Sequence, residues 1–488
     1  MLSLEEIKSF IDEDSISEKK RFAAIGQRYY EGRHDIRDYR MFYFDANGVL
    51  KEDTTRTNMR ISHPFFMILT DQLSAYMLSF KENPIQAKEN TNGLQTRLDS
   101  YFDDDFWAEI GEVISGAYVK GFEYLYAYKN KKDRTAFQCA DSLGVVEVRA
   151  KDTDDHCEHV IFWYIDRIEK GMKKIKRIQV WDSQQIYYYT QIDNGEIVLD
   201  ESEELNPKPH SVFEEEDGVI TYDDYGMIPF FRLDNCKKQF SGLMPVKELI
   251  DDYDIHACSL SNNLIDFDMP LHVVKGFQGD NLDELQQNLQ TKKLIGIPET
   301  DGGVEVHTVE IPYQARKEKL QIDKEGIYTF GMGFDPTQTG DGNITNIVIR
   351  NRYSMLDLKA GKMQPRLQAL LDKCITIVLN EINQAEGTDY SLEDIEYHFT
   401  RETTTNETEN ISNEKIKAET KQIQVNTILN AAANIGDEQT LRALCEVLEW
   451  DFEEIQAALK KAETEGLESA RNALESVQIE ENIENTLE

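Results

Sequence analysis

Residues 245–267 read PVKELIDDYDIHACSLSNNLIDF, and their apolar side chains recur at the spacing of one face of an α-helix. That face is a narrow stripe made of Val246, Leu249, Ile250, Tyr253, Ala257, Leu260, Leu264 and Phe267. The opposite face is polar, and a helix of about 22 residues would be about 33 Å long. Such a narrow stripe favours packing against a few neighbouring helices over burial in a globule. We therefore predict that Val246, Leu249, Tyr253, Leu260 and Leu264 contact a neighbouring subunit.

A second helix is predicted from Tyr313 to about Tyr328, followed by the glycine-rich run GMGFDPTQTGDGN at residues 331–343. Glycine and proline prevent this run from continuing either flanking helix, and its small or polar side chains suit a mobile loop. Residues 344–384 then show a helical pattern with Pro365 inside it. Because proline removes a backbone hydrogen bond and clashes with the preceding turn, we predict a kink in this helix.

The chain before these helices has a helical part and a β part. Residues 1–80 carry helix signals, with capping boxes that begin at Ser3 and Ser15 and an apolar helix entered through Pro64. Across residues 122–232 the runs YLYAY, GVVEVRA, HVIFWYIDRI, KRIQVWD and QIYYYTQI alternate with turn signals such as IDNGEI. This alternation predicts an antiparallel meander.

Three further segments complete the organisation. Residues 270–309 predict a small mixed α/β insert, with strands LHVVKGF, KLIGI and VEVHTVEI and a short helix NLDELQQNL. After the polar run RETTTNETEN, amphipathic helices are predicted at 413–435 and 437–450. Residues 461–488 hold eight Glu against one Lys and one Arg, and we expect partial disorder near their end.

The charge of the chain limits its partners. A length of 488 residues favours several subdomains. The chain has 53 Lys plus Arg and 91 Asp plus Glu, a formal net charge of −38, so we expect a surface that repels phosphate rather than one that binds DNA tightly.

The six cysteines form no C-x-x-C pair, no signal pattern opens the chain, and the longest apolar run, residues 64–69, is too short to span a bilayer. These features predict a reduced, cytoplasmic, soluble protein with no membrane partner.

One cluster could hold a metal. DDHCEH at residues 154–159 places His156, Cys157 and His159 among carboxylates, but it lies between two predicted strands and reads more naturally as a polar turn, since a metal site needs three or four converging ligands. The chain has no G-x-x-x-x-G-K-[ST], G-x-S-x-G or H-E-x-x-H motif. We predict no catalytic, cofactor or metal site, and a metal-dependent nucleic-acid-processing enzyme that uses residues 154–159 remains the alternative.

The order of these parts resembles the portal, or head-to-tail connector, proteins of tailed bacteriophages, in the branch found in long-tailed phages of Gram-positive hosts. RYYEGRHDI at residues 28–36 and the helical segment at 56–85 are similar to N-terminal elements of that branch. Residues 227–267 resemble the segment that enters the stem, and GDGNITNIVIRNRYSMLDLKAGK at 340–362 resembles the loop and long helix after it. Many members have Asn-x-Ser-Gly where this chain has NITN at 343–346.

The resemblance implies an α+β portal fold with a helical wing plus antiparallel β meander, long stem helices, a small α/β clip and a helical crown. The implied segments are wing 1–243, stem helix 244–269, clip 270–311, second stem helix 312–331, channel loop 332–344, kinked wing helix and following strand 345–400, crown 401–460 and acidic tail 461–488.

The resemblance also implies a function. It implies a ring, commonly of twelve subunits, at one capsid vertex of the virion, assembled in the host cytoplasm. Double-stranded DNA would pass through this ring without tight binding. The implied partners are the terminase large subunit, the major capsid and scaffolding proteins and a head-completion or tail adaptor, and the chain itself would not be an enzyme. A capsid scaffolding or adaptor protein without a channel is a further alternative.

The loop between the second stem helix and the long helix would project toward the axis of such a ring. The residues expected to line the passage there are Phe334, Asp335, Thr337, Gln338, Thr339, Asp341 and Asn343. We expect Asp335 and Asp341 to add negative charge that repels phosphates.

A basic and aromatic arm near the start contrasts with the acidic chain. Residues 21–40 hold five arginines against three acidic residues. We expect this arm to pair with an acidic surface of a neighbouring subunit or of the capsid shell, or to be ordinary surface charge, and its tyrosines to be packing residues.

Overall fold

The computed structural model describes residues 2–88, 93–130, 134–150, 157–214, 220–266, 271–275, 303–307, 312–337, 346–401, 420–432 and 436–448, with a few further positions at 91, 415 and between 452 and 461. The chain divides into two units, one formed by residues 1–340 and 350–403 and the other by 341–349 and 404–488. Helices and antiparallel sheets occur together, so the predicted α+β class is confirmed.

The described helices alternate with the sheets along the chain. They are α1 Leu4–Ser15, α2 Glu18–Tyr30, α3 Phe65–Met77, α4 Leu94–Tyr101, α5 Asp104–Lys120, α6 Lys247–Asp266, α7 Tyr313–Phe330, α8 Asn346–Glu386 and α9 Asp437–Leu448. No helix in these described stretches is long and apolar enough to cross a membrane.

The ends of the first helices follow from their caps. Ser3 and Glu6 form the predicted capping box of α1. The second predicted box is wrong, because Ser15 is the last residue of α1 and Ser17 caps α2 by accepting from the Lys20 N–H. The helix predicted to follow Pro64 is α3 and begins at Phe65.

The strands form small antiparallel sheets. Their bounds are β1 Phe42–Phe44, β2 Leu50–Glu52, β3 Ile85–Ala87, β4 Phe122–Lys129, β5 Thr135–Ala140, β6 Val145–Arg149, β7 Cys157–Glu169, β8 Lys173–Trp181, β9 Gln185–Ile192, β10 Ile197–Leu199, β11 Lys208–Pro209, β12 Ser211–Glu214, β13 Ile220–Asp223, β14 Phe230–Asp234, β15 Leu271–Lys275, β16 Gly303–His307 and β17 Ile395–Tyr397.

The predicted meander is divided between two sheets. Strands β10, β9, β8, β7 and β6 are neighbours in that order, and β11 also pairs with β9. The first predicted strand, YLYAY, instead lies in β4, which pairs with β5 and β14 in a separate three-stranded sheet. Sequence order suggested the next predicted strand, GVVEVRA, as the partner of β4. The structure instead pairs β4 with β5 and with β14, which lies more than 100 residues later in the sequence.

Three apolar clusters of the described residues stabilise the first unit. In one of them α1 covers one face of the five-strand run, where Ile7 and Ile11 pack on Ile161 and Ile178. In the largest, the core lies around α3, α5 and α8 and continues to the start of α6, where Val246 is fully buried. The beginning of α6 is therefore fixed by the same core that holds α3, α5 and α8.

Helix α8 passes through Pro365 without interruption. Pro365 therefore does not end the helix, and a bend at this residue stays a prediction.

The remaining described elements are few. In the predicted insert, β15 and β16 pair in antiparallel fashion, while the predicted KLIGI strand and NLDELQQNL helix lie outside the described residues. In the second unit, residues 420–432 are helical and α9 matches the predicted helix at 437–450.

Candidate functional site: helices α6 and α7 and the loop after α7

The apolar stripe of α6 is covered within the subunit along its first half. Val246 is buried in the main core, and Leu249 and Tyr253 pack against that core. Leu249 and Tyr253 are half-buried, as is Leu260, and Leu264 is 51 % exposed. Contact of the stripe with a neighbouring subunit therefore stays a prediction, and the later part of the stripe is its most exposed part.

The polar face of α6 binds an extended segment, residues 57–63, which we call the strap. The contacts run from the Thr57 hydroxyl to Asp266, the Met59 N–H to Asn262 Oδ1 (2.8 Å), the Ile61 N–H to Cys258 Sγ (3.2 Å) and the His63 N–H to Asp254 Oδ1 (3.0 Å). Every second strap residue thus meets every fourth residue of α6, and the two run antiparallel. The spacings agree because two extended residues span about 6.6 Å and four helical residues rise about 6.0 Å.

The strap is also held on its other side. The side chains of Asn58 and Arg60 donate to the carbonyls of Tyr39 and Arg37, at 3.2 and 3.3 Å. The strap continues directly into α3, which begins at Phe65. The extended segment therefore joins α6 to the core helix α3.

Asp254 is the most buried contact of the strap. Its carboxylate is 0 % exposed and lies 2.7 Å from the Nδ1 atoms of both His34 and His63. The Nε2 atom of His34 is 3.2 Å from the Tyr29 carbonyl oxygen, so both ring nitrogens of His34 have a polar partner. Burial alone would raise the pKa of Asp254, but the hydrogen bonds from the two histidines outweigh it and the pKa lies below its usual value.

These contacts account for the basic, aromatic arm. Tyr29 is fully buried, stacks on His34 and donates to Asp251 of α6, so its predicted packing role is confirmed. Arg28 pairs with Asp35 in the same chain, and Arg33 and Arg40 are likewise paired with Glu31 and Glu52. In the described structure three of the arm's five arginines are therefore paired within the chain, and pairing of the arm with an acidic surface of a neighbouring subunit or of the capsid shell stays a prediction.

Helices α6 and α7 are antiparallel neighbours. The Leu249 side chain faces Gly326, Asp252 pairs with Lys319, and Ser259 accepts from Arg316. Lys319 also pairs with Asp323 of its own helix, which is almost fully buried. The pair is therefore joined by ionic contacts as well as by apolar packing.

The start of the loop after α7 is fixed by α3. Gln72 makes two hydrogen bonds to the Phe334 backbone, donating to its carbonyl at 2.7 Å and accepting from its N–H at 3.2 Å. A Cβ atom at Gly331 or Gly333 would lie within 2.5 Å of the Leu69 side chain. The glycines in GMG thus permit close approach of the loop backbone to α3, a reason unrelated to phosphate binding.

Ionic and aromatic contacts hold the same place. Asp335 is buried and pairs with Lys324 of α7 at 2.7 Å. Burial opposes the charge of Asp335, but Lys324 and Thr337 outweigh it and its pKa is lowered. Phe334 packs on Tyr353 of α8, with ring centroids 5.1 Å apart. Phe334, Asp335 and Thr337 therefore form a fixed loop base, which corrects the expectation that Asp335 offers free negative charge.

A half-buried lysine of α8 approaches this loop base. Lys359 Nζ donates to the Gly331 carbonyl at 3.1 Å and lies 3.8 Å from the centroid of the Tyr118 ring. Burial lowers the pKa of Lys359 to about 7. The other predicted loop residues, Gln338, Thr339, Asp341 and Asn343, lie outside the described residues.

The structure adds no support to the metal alternative. Across the part of the chain that the structure describes, no group of three or more His, Cys, Asp or Glu side chains could hold a metal ion. Cys157 begins β7 and His159 is buried in the same strand, whereas residues 154–156 lie outside the described stretches.

Comparison with known proteins agrees with the resemblance seen in the sequence. A family model described as phage portal protein, SPP1 Gp6-like, matches residues 9–466. The portal protein of Bacillus phage SPP1 is 27 % identical over 346 residues, which cover 70 % of this chain and 67 % of that protein. The portal protein of Clostridium phage phiCD119 is 25 % identical over 373 residues, which cover 71 % of this chain and 79 % of that protein. This chain belongs to the SPP1 Gp6-like family of phage portal proteins.

Proposed function

We propose that the chain assembles into a ring, commonly of twelve subunits, at one vertex of the capsid, and that double-stranded DNA passes through this ring during packaging and ejection. In this proposal α6 and α7 are the stem, residues 270–311 the clip, residues 332–344 the channel loop and residues 401–460 the crown. Membership of the portal family supports the proposal.

The observation that carries it is the uncovered apolar surface of the helix pair. The exposed side chains are Ile255 (39 %), Leu264 (51 %), Ile265 (52 %), Ile322 (64 %) and Phe330 (61 %). Large aliphatic and aromatic groups left exposed along a pair of helices are typical of an interaction surface. A heterologous contact that repeats around an axis covers such a surface and closes a ring.

The fixed loop base supports the role of the loop. Gln72 and Lys324 hold its first residues against α3 and α7, so the following residues start from a defined position. The net charge of −38 supports passage without retention, because a negative wall repels the phosphate backbone.

The partners follow from the same proposal. The terminase large subunit supplies the energy for DNA movement and docks on the clip, while the major capsid and scaffolding proteins and a head-completion or tail adaptor contact other parts of the ring. The chain has no catalytic role in this scheme, is assembled in the host cytoplasm and remains in the virion.

Native mass spectrometry and negative-stain microscopy test the ring. We expect the wild type to form closed rings with a central channel and Leu264→Glu to give folded monomers, because a buried unpaired carboxylate at the contact is costly. Ile16→Glu is the matched control, since Ile16 is 74 % exposed and lies between α1 and α2, away from the pair. Rings of Leu264→Glu, or wild-type particles without a channel, would contradict the proposal.

A further inference from the structure

The hairpin made by the end of β7 and the start of β8 is basic within an acidic chain. Residues 165–177 read IDRIEKGMKKIKR, with six Lys or Arg against two Asp or Glu. The segment therefore has a net charge of +4 in a chain whose net charge is −38.

The positive charge at the tip is not neutralised by the described residues. Arg167 of β7 pairs with Asp166 and Glu169, at 2.8 and 3.1 Å. Arg177 of β8 pairs with Asp200. Three other cations, Lys170, Lys173 and Lys174, are exposed and have no ion pair within the described part of the chain. The tip thus presents three free ammonium groups.

Apolar side chains accompany these lysines. Ile165, Ile168 and Met172 are 48 %, 60 % and 80 % exposed. An open concavity of about 550 Å³ adjoins them, lined in part by Ile175, Ile192, Val198 and Leu199. The end of the sheet therefore combines aliphatic surface with free positive charge.

The turn itself favours exposure of the methionine. Gly171 and Met172 have φ values of 86° and 63°, a conformation that glycine and asparagine adopt more readily than methionine. Chain reversal alone does not require a large apolar side chain there. The strained position instead places the Met172 side chain in solvent, where a partner can cover it.

We propose that this hairpin tip is a docking site for an acidic segment of a different protein, one that carries aliphatic side chains beside its carboxylates. Lysines 170, 173 and 174 attract the carboxylates, and Ile168, Met172 and the concavity receive the aliphatic groups. The proposal goes beyond the ring and does not depend on it.

The surface fits this occupant better than two others. Nucleic acid is disfavoured because the exposed apolar groups at the tip are aliphatic, not the aromatic rings on which bases stack. A second copy of the chain is disfavoured because stable contacts between subunits bury on the order of 1,000 Å² or more. A hairpin tip offers only a few side chains and suits a short segment.

A binding assay on the purified full-length chain tests the chemistry. The probe is a fluorescein-labelled synthetic peptide of Glu and Leu at helical spacing, followed by fluorescence anisotropy. We expect binding that weakens as salt rises, and a loss of affinity of about tenfold or more in the triple variant Lys170→Glu, Lys173→Glu, Lys174→Glu. Met172→Asn relieves the turn and should bind several-fold more weakly while remaining as stable as the wild type.

The control is the double variant Lys237→Glu, Lys238→Glu, which reverses two exposed lysines elsewhere. It should bind the peptide like the wild type. The proposal is overturned if the wild type does not bind the peptide, if the triple variant binds equally well, or if a 20-base-pair DNA duplex displaces the peptide.

A photo-cross-linking residue in place of Met172 then identifies the occupant in cells that produce the particle. We expect a cross-link to a segment of net negative charge in another protein. A cross-link to a second copy of this chain, to a basic segment, or to no protein at all overturns the assignment.

Discussion

Asp254→Ala should release the strap from α6. The substitution leaves the Nδ1 atoms of His34 and His63 and the His63 N–H without their acceptor in a site where the carboxylate is 0 % exposed. Breaking a buried charged contact costs about 3–5 kcal/mol. Because the other strap contacts remain, we take the lower figure, about 3 kcal/mol, as the loss in the free energy of strap opening.

Trypsin cleavage reports this opening because Arg60 lies in the strap and Arg56 immediately precedes it. When opening and closing are fast relative to cleavage, the cleavage rate follows the open population, and about 3 kcal/mol corresponds to a rate increase of about 100-fold. Limited proteolysis of native protein, followed by mass spectrometry of the first cut, measures it.

Asp266→Ala is the matched control, since Asp266 lies on the same helix but is exposed and contacts only the first strap residue, Thr57. We expect its cleavage rate to rise by no more than about threefold, in line with an exposed hydrogen bond. Equal cleavage of Asp254→Ala and wild type would refute the view that the buried carboxylate holds the strap.

Four further predictions concern the loop and its base. Gln72→Ala removes both hydrogen bonds to the Phe334 backbone, so exchange of the Phe334 amide should quicken about tenfold or more; unchanged exchange would show that other contacts suffice. Shortening the loop within residues 336–342 should preserve rings but impair DNA packaging or retention, and full in vitro packaging by this variant would contradict the role of the loop. Asp341→Lys should slow DNA translocation most at low salt, where attraction of the lysine to phosphate is least screened. Burial lowers the pKa of Lys359 to about 7, so above that pH the unfolded chain binds more protons than the folded chain. The stability of wild type relative to Lys359→Met should therefore rise from about pH 7 to 10. Thermal-unfolding profiles that stay parallel for the two proteins over this pH range would contradict it.

Local pattern was enough to predict the elements but not their partners. Helix α6 was predicted because apolar residues at helical spacing identify a helix whatever covers it. Its opposite face was recognised only as polar, yet Asp254 and Asn262 are buried there. The strap that buries them lies about 200 residues earlier in the sequence, and no short-range signal connects the two. The four-residue spacing of Asp254, Cys258, Asn262 and Asp266 was the available sign.

The loop shows the same limit. Its composition predicted a mobile segment, and Asp335 was expected to add negative charge within that segment. Lys324 neutralises it from within the preceding helix. Lys324 can reach Asp335 only if the backbone turns back soon after the end of α7. That turn depends on the close approach of Gly331 and Gly333 to Leu69.

The repeat of the strap contacts restricts how α6 can move. Because the acceptors on α6 recur every four residues and the strap donors every two, a displacement along the helix axis restores the pairing only after a step of about 6 Å. Smaller displacements leave all of the donors misaligned at once. The strap contacts therefore resist small movements of α6 along its axis. A displacement large enough to break them would pull on α3 and, through Gln72, on the loop backbone.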